Sequence, residues 1–142
     1  MNIYFSCSIT GGRRDQHIYK QIVEYLIENG HIVPTAHLAS TEAMEGESDL
    51  NAVEVFQRDL GWVENCDALI AEVSTPSHGV GYEIAAAVYL GKQIMCCYQK
   101  DKKVSKIISG NTSEKVFVFA YTNEDELITE INRFIKNLTI TK

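Results

Sequence analysis

Cations are outnumbered in this 142-residue sequence, 13 Lys and Arg against 19 Asp and Glu, for a net charge of −6. A nucleic-acid polymer needs a stripe of basic side chains along its phosphates, so that deficit excludes one as a partner. A mononucleotide stays allowed, because one phosphate can be held by a single Arg and a few backbone N–H groups. Cysteine is scarce as well. Cys7, Cys66, Cys96 and Cys97 form no C-x-x-C pair, and a chain of this length needs no disulfide staple, so they read as reduced, buried thiols. The four histidines show no H-E-x-x-H or related ligand spacing, and no metal is expected. No apolar run approaches the roughly 20 residues of a membrane span, and no basic leader precedes Ile3–Ile9, which predicts a cytoplasmic protein without membrane contact.

What is present is regular alternation. Strand-length apolar segments at Asn2–Ser8, His31–Pro34, Ala68–Val73, Gln93–Tyr98 and Val116–Ala120 take turns with helical-period segments at Asp15–Asn29, Asp49–Asn65, Gly79–Leu90, Val104–Ser109 and Glu124–Leu138. Ile18, Ile22, Val23 and Leu26 share one helix face; Val53, Phe56, Leu60 and Val63 share a second; Leu127, Ile131, Phe134 and Ile135 share a third. Gly30 and Gly91 stand where C-terminal caps belong. This pattern predicts one α/β domain over residues 1–142, a flavodoxin-like or Rossmann-like five-stranded parallel sheet in the order 2-1-3-4-5 with helices on both faces. Leu38–Asp49 lacks periodicity and reads as a surface loop or a lid.

In that strand order the chain reverses between strands 1 and 3, and ligands bind beyond their carboxyl ends. Two loops meet there. The first, Ser8-Ile9-Thr10-Gly11-Gly12-Arg13, has adjacent glycines entering a helix and a guanidinium beside them, the composition of a phosphate cradle or of a plain tight turn. The second, Ser74 to Glu83, puts Ser77 at a helix entrance and Glu83 in or near the first helical turn. The helix dipole there favours an ionised carboxylate, which serves either as a nucleophile or as a simple complement to the helix terminus. Asp59 edges into the apolar face of its helix and calls for a task or for an ion pair with a cation such as Arg58. Tyr4 reads by default as a core aromatic, and His37 as a surface residue.

Taken together, the chain resembles the 2′-deoxynucleoside 5′-phosphate N-hydrolases, a branch of the nucleoside 2-deoxyribosyltransferase-like superfamily. The likeness spans nearly the whole chain. It rests on Tyr4-Phe5, Ser8-Ile9 and Gly11-Gly12-Arg13, on Arg58-Asp59-Leu60 with Trp62, on Ala71-Glu72-Val73, and on Pro76-Ser77 with Gly79-Val80-Gly81-Tyr82-Glu83. The resemblance implies that Glu83 attacks the anomeric carbon, Tyr4 positions it, and Asp59 orients the sugar or handles the proton. It implies that Gly11, Gly12, Arg13 and Ser77 surround the 5′-phosphate, with Cys7, Ser8, Ile9, Thr10 and Gly79 as further substrate contacts. His37, in Thr35-Ala36-His37, would form the base-side wall. Ser105 and Ile107 match a segment that reaches the neighbouring subunit's site, which implies a homodimer. No cofactor is implied. Cys7, Thr10 and His78 depart from the family pattern of Gly, a basic residue and an apolar one, and these departures bear on base preference.

The implied reaction passes through an oxocarbenium-like transition state, which a carboxylate beneath the sugar stabilises or traps. Neighbouring readings are a nucleoside 2-deoxyribosyltransferase, in which a second base intercepts the glycosyl-enzyme, and a ribonucleotide N-hydrolase acting on CMP-like substrates. A reading of another class is a non-catalytic flavodoxin-like module binding a nucleotide or flavin, since Ser8-x-Thr10-Gly11 faintly echoes an FMN phosphate loop. A phospho-receiver is disfavoured because no Asp ends the segment Ala68–Val73.

Overall fold

The computed structural model describes residues 1–9, 14–40 and 49–140. Its sheet has four parallel strands, β1 (Ile3–Ser6), β2 (Ala68–Glu72), β3 (Gln93–Gln99) and β4 (Val116–Tyr121), in the order β1-β2-β3-β4. Parallel neighbours need crossover connections, which contain α1 (Gln16–Glu28), α2 (Ala52–Asn65), α3 (His78–Tyr89) and α4 (Lys106–Ser109), while α5 (Glu124–Ile140) follows the last strand. Every residue of β1 and β2 is buried, as expected for strands of a parallel sheet covered on both faces.

Side-chain alternation along the strands sorts the core into two layers. Ile3, Phe5, Ile70 and Met95 point to one face and pack with Ile18, Ile22 and Leu26 of α1 and Leu127 and Ile131 of α5. Tyr4, Leu69, Ala71 and Ile94 point to the other and meet Val63 of α2 and Val80, Ile84 and Ala87 of α3. The predicted apolar faces of α1 and α5 are therefore the buried ones. That of α2 is not: Val63 is fully buried, but Val53 is 62% and Phe56 51% exposed, because only the C-terminal part of the helix reaches the sheet.

Both glycine caps form. Gly30 (φ 78°) and Gly91 (φ 68°) adopt the left-handed conformation, and His31 N–H to Leu26 O and Lys92 N–H to Ala87 O close the Schellman pattern. Asn51 starts α2 two residues later than the sequence pattern predicts. Its side chain accepts from the Val53 and Glu54 N–H groups while Glu54 accepts from the Asn51 N–H, a complete capping box.

The expected fifth strand does not form. His31–Pro34 touches the free side of β1 through a single bridge, Asn2 to Ile32, with Ile3 N–H donating to Ile32 O at 2.8 Å and Ile32 N–H to Met1 O at 2.9 Å. Gly30 ends a helix just before this segment, and Pro34 brings no N–H to continue a ladder. Beyond the bridge the Phe5 N–H donates to a side chain, Thr35 Oγ1, at 3.1 Å. The sheet order 2-1-3-4-5 is accordingly replaced by four strands in sequence order. The expected loop or lid over Leu38–Asp49 also needs correcting at its start: Ala36–Ala39 is a turn of 3₁₀ helix in which Leu38 and Ala39 are buried. Residues 41–48 lie outside the described residues.

Candidate active site

β1 supplies the floor of the site. Tyr4 and Ser6 are two apart, so both face the α2–α3 layer, and the side chain they meet there is Glu83. Tyr4 Oη donates to Glu83 Oε1 at 2.9 Å, and Ser6 Oγ donates to Glu83 Oε2 at 2.5 Å. Each carboxylate oxygen thus accepts from one hydroxyl. Glu83 is the sixth residue of α3, in its second turn, and no acidic residue occupies the first turn. The expected support from the helix terminus is therefore weak, since the dipole acts mainly within one turn. Burial sets the protonation of Glu83 instead and raises its pKa. The donor bonds from Ser6 and Tyr4 pull it down, and the nearby Asp59 charge adds to the rise.

Asp59 accepts from Arg58 Nε at 2.8 Å, with the two side chains only 18% and 21% exposed. The ion pair weighed from sequence is real, and it sits beside the Tyr4–Glu83 bond, because the Asp59 charge acts on both groups. The Arg58 guanidinium lies 4.8 Å above the Trp62 ring, and Trp62 meets the His37 imidazole edge-on at 5.9 Å. Nucleophile candidate, second carboxylate, cation and two rings are thereby gathered on one side of the sheet.

Ser77 is the N-cap of α3, its Oγ accepting from the Val80 N–H at 3.4 Å, and Gly79 is exposed in the first turn. Six residues separate Ser77 from Glu83, about 9 Å along the axis. Ser77, Ser105 and Ile107 line a cleft of about 330 Å³ with Pro76, His78 and Lys103; Ile107 is 82% exposed. Ser8 is buried, Ile9 half-buried, and Cys7 is packed in the opposite layer with Tyr19 and Cys97. Thr10, Gly11, Gly12 and Arg13 lie outside the described residues. Among the described residues no cluster of three or more His, Cys, Asp or Glu is placed to hold a metal. Sequence reasoning missed Ser6, although its i, i+2 relation to Tyr4 on a strand was the available signal.

A parallel α/β sheet with a carboxylate held by two hydroxyls over one face, and a second carboxylate nearby, is the arrangement on which the comparisons with known proteins bear. Residues 3–138 match the family described as Nucleoside 2-deoxyribosyltransferase, and the chain belongs to that family. A 5-hydroxymethyl-dUMP N-hydrolase from Danio rerio is 35% identical over 98% of this chain and 99% of its own. One from Mus musculus is 37% identical over 95% and 80%. A CMP N-glycosidase from Clostridium botulinum, 18% identical, superposes with a TM-score of 0.73 over 94% of this chain and 99% of its own, and so shares the fold.

Proposed function

We propose that this enzyme hydrolyses the N-glycosidic bond of 2′-deoxynucleoside 5′-monophosphates, with Glu83 as the nucleophile. The observation that carries the reading is the half-buried Glu83 carboxylate, fixed at both oxygens by Tyr4 and Ser6 next to Asp59. One Glu83 oxygen bonds to C1′ as the C1′–N bond breaks and the base leaves with the bonding pair, taking a proton from water. Water then attacks C1′ as the C1′–Glu83 bond breaks, its electron pair returning to the carboxylate and the surplus proton passing to Asp59 or to solvent, and the released sugar is 2-deoxyribose 5-phosphate. The two donors offset part of the rise that burial causes in the Glu83 pKa, and they hold the carboxylate in one orientation, which is where much of the rate of such reactions originates. Ser77, with Gly11, Gly12 and Arg13, takes the 5′-phosphate; His37 and Trp62 flank the base.

The protein works as a homodimer in this reading. Val53 and Phe56 of α2, Tyr82 and Tyr89 of α3, and Ile107 of α4 are all more than half exposed, and Phe56 and Tyr82 pair at 6.2 Å, an apolar surface suited to a second copy. No helix among the described residues is long and apolar enough to cross a membrane. Four buried cysteines that form no disulfide fit a reducing cytoplasm.

The test is base release from a panel of deoxy- and ribonucleoside monophosphates and their nucleosides, with and without an acceptor base. Release from deoxynucleoside monophosphates, reduced about 10³-fold or more in Glu83→Gln at unchanged melting temperature, is the expected result. Transfer from unphosphorylated nucleosides without hydrolysis of monophosphates would make the enzyme a transferase, and near-normal turnover of Glu83→Gln would remove the nucleophile.

A further inference from the structure

One hydroxyl would fix the Glu83 carboxylate, yet two donate to it, and the second has a stereochemical meaning. Ser6 ends β1, is 1% exposed, and donates from Oγ to Glu83 Oε2 at 2.5 Å. Tyr4 donates to Oε1 at 2.9 Å. The partner of Ser6 on β2 is Ala71, and Leu69, Val80 and Ile84 belong to the layer it faces, so packing alone asks for no hydroxyl at this position. The shorter bond to a charged acceptor is the stronger and draws more charge from its oxygen. Oε1 is therefore the better nucleophile of the two, and Oε2 stays behind as the carbonyl oxygen of the glycosyl ester.

A base on the β face of the sugar is displaced in line, so the carboxylate approaches C1′ from the α face. The 2′-hydroxyl of a ribonucleotide lies on that same face, one carbon away. Hydrogen bonds to a hydroxyl on this carbon strengthen in glycosidase transition states, and the acceptor that the approach brings beside it is the carboxylate oxygen not bonding to C1′. A 2′-deoxy sugar has no such donor. We propose that Ser6 Oγ takes the place of that missing hydroxyl, making Ser6 the positioning residue that suits Glu83 to a deoxyribosyl substrate over a ribosyl one. The inference rests on the proposed function for the role of Glu83 and for the sugar it attacks. Oε2 receives its hydrogen bond from the protein, in a fixed and buried orientation, as Oε1 bonds to C1′ and the base leaves with the C1′–N pair. A 2′-hydroxyl arriving at Oε2 meets an oxygen already bonded to Ser6 and gains little by donating there.

Three 5′-monophosphates of one base, the base that the wild type releases fastest, make the test: 2′-deoxyribo, ribo and arabino. The arabino 2′-hydroxyl withdraws charge from C1′ as the ribo one does, but it points to the β face, away from the attacking carboxylate. kcat/KM for each is measured by base release on the wild type, Ser6→Ala and Ser6→Thr. Losing the Ser6 donor also raises the Glu83 pKa, but that change belongs to the free enzyme and cancels from ratios of kcat/KM. In Ser6→Ala the loss of a bond to a charged acceptor lowers kcat/KM about tenfold for the deoxy and arabino substrates. The ribonucleotide brings its own donor and keeps its wild-type value or exceeds it. The deoxy-to-ribo ratio therefore falls about tenfold while the deoxy-to-arabino ratio holds. Ser6→Gly, also without a hydroxyl, repeats this result, and Ser6→Thr keeps the wild-type ratios. Equal losses on all three substrates at unchanged melting temperature would show that Ser6 only holds Glu83, and would overturn the inference. So would ribo activity that falls with arabino, no ribonucleotide cleavage in either protein, or altered ratios in a folded Ser6→Thr. If the wild type acts on nucleosides and not on monophosphates, the same ratios among the three nucleosides uphold the inference while the proposed reaction fails. A wild type that prefers the ribo substrate overturns both.

Discussion

Replacing Glu72 by Gln should flatten the dependence of stability on pH. Glu72 has no exposed surface, and burial raises its carboxyl from the ordinary 4.5 to about 7, even though the Ser74 and Tyr121 bonds work in the other direction and the Asp15 charge adds to the rise. Tyr19, Tyr121 and Cys97 face it, and burial holds their own pKa values above the ordinary range, so they stay neutral across the window. The unfolded chain releases this proton near pH 4.5 and the folded one only near 7. Between the two the unfolded state binds fewer protons, and stability falls as pH rises. At about 1.4 kcal/mol per pH unit, the wild type loses about 3 kcal/mol over that interval through this group. A Gln in its place has no proton to release. Urea unfolding of both proteins at half-unit steps from about pH 4.5 to 8 measures the difference, with the m-value as a check that the unfolded states are alike. The two stability curves should converge at neither end: their separation changes by about 3 kcal/mol across the interval and is constant above about pH 7.5. Parallel curves would show that Glu72 stays charged in the folded protein and that the burial argument is wrong.

If Glu83 is the nucleophile proposed above, Ser6→Ala should move the acid limb of kcat/KM to higher pH, because it removes the donor that most offsets the burial of Glu83; a pH–rate profile with an unmoved limb would show that Ser6 does not tune Glu83 for the reaction. Asn51→Ala breaks the capping box of α2 and should cost about 1 kcal/mol, a fall of about 4 °C in melting temperature by calorimetry.

Much of this architecture was visible as period and punctuation. The apolar faces of α1 and α5, the glycine caps and the Ser77 entrance depend on neighbours a few residues away, and short-range pattern records such dependence. The pairing of Tyr4 with Glu83 came from the resemblance, since nothing local links positions 79 residues apart. Ser6 escaped because a small hydroxyl on a buried strand looks like any other small core residue until its partner is known. The segment after α1 had strand composition and the right position beside β1, but the α1 cap takes the His31 N–H and Pro34 has none to give, so no ladder extends beyond the single bridge. The contacts of Asp15 were hidden by their sequence context: the residue looks like a cap, and only the folded chain shows its oxygens bonded to Thr75 and Gln99 instead.

The alternation along β1 has a consequence for how this protein can change. Ile3 and Phe5 belong to one core layer and Tyr4 and Ser6 serve Glu83 in the other, so four consecutive residues leave no position for neutral drift. Inserting one residue would exchange the two sets, placing hydroxyls in the α1–α5 layer and apolar groups against the carboxylate. Core packing and the hold on the Glu83 carboxylate are inherited through this strand as a single trait.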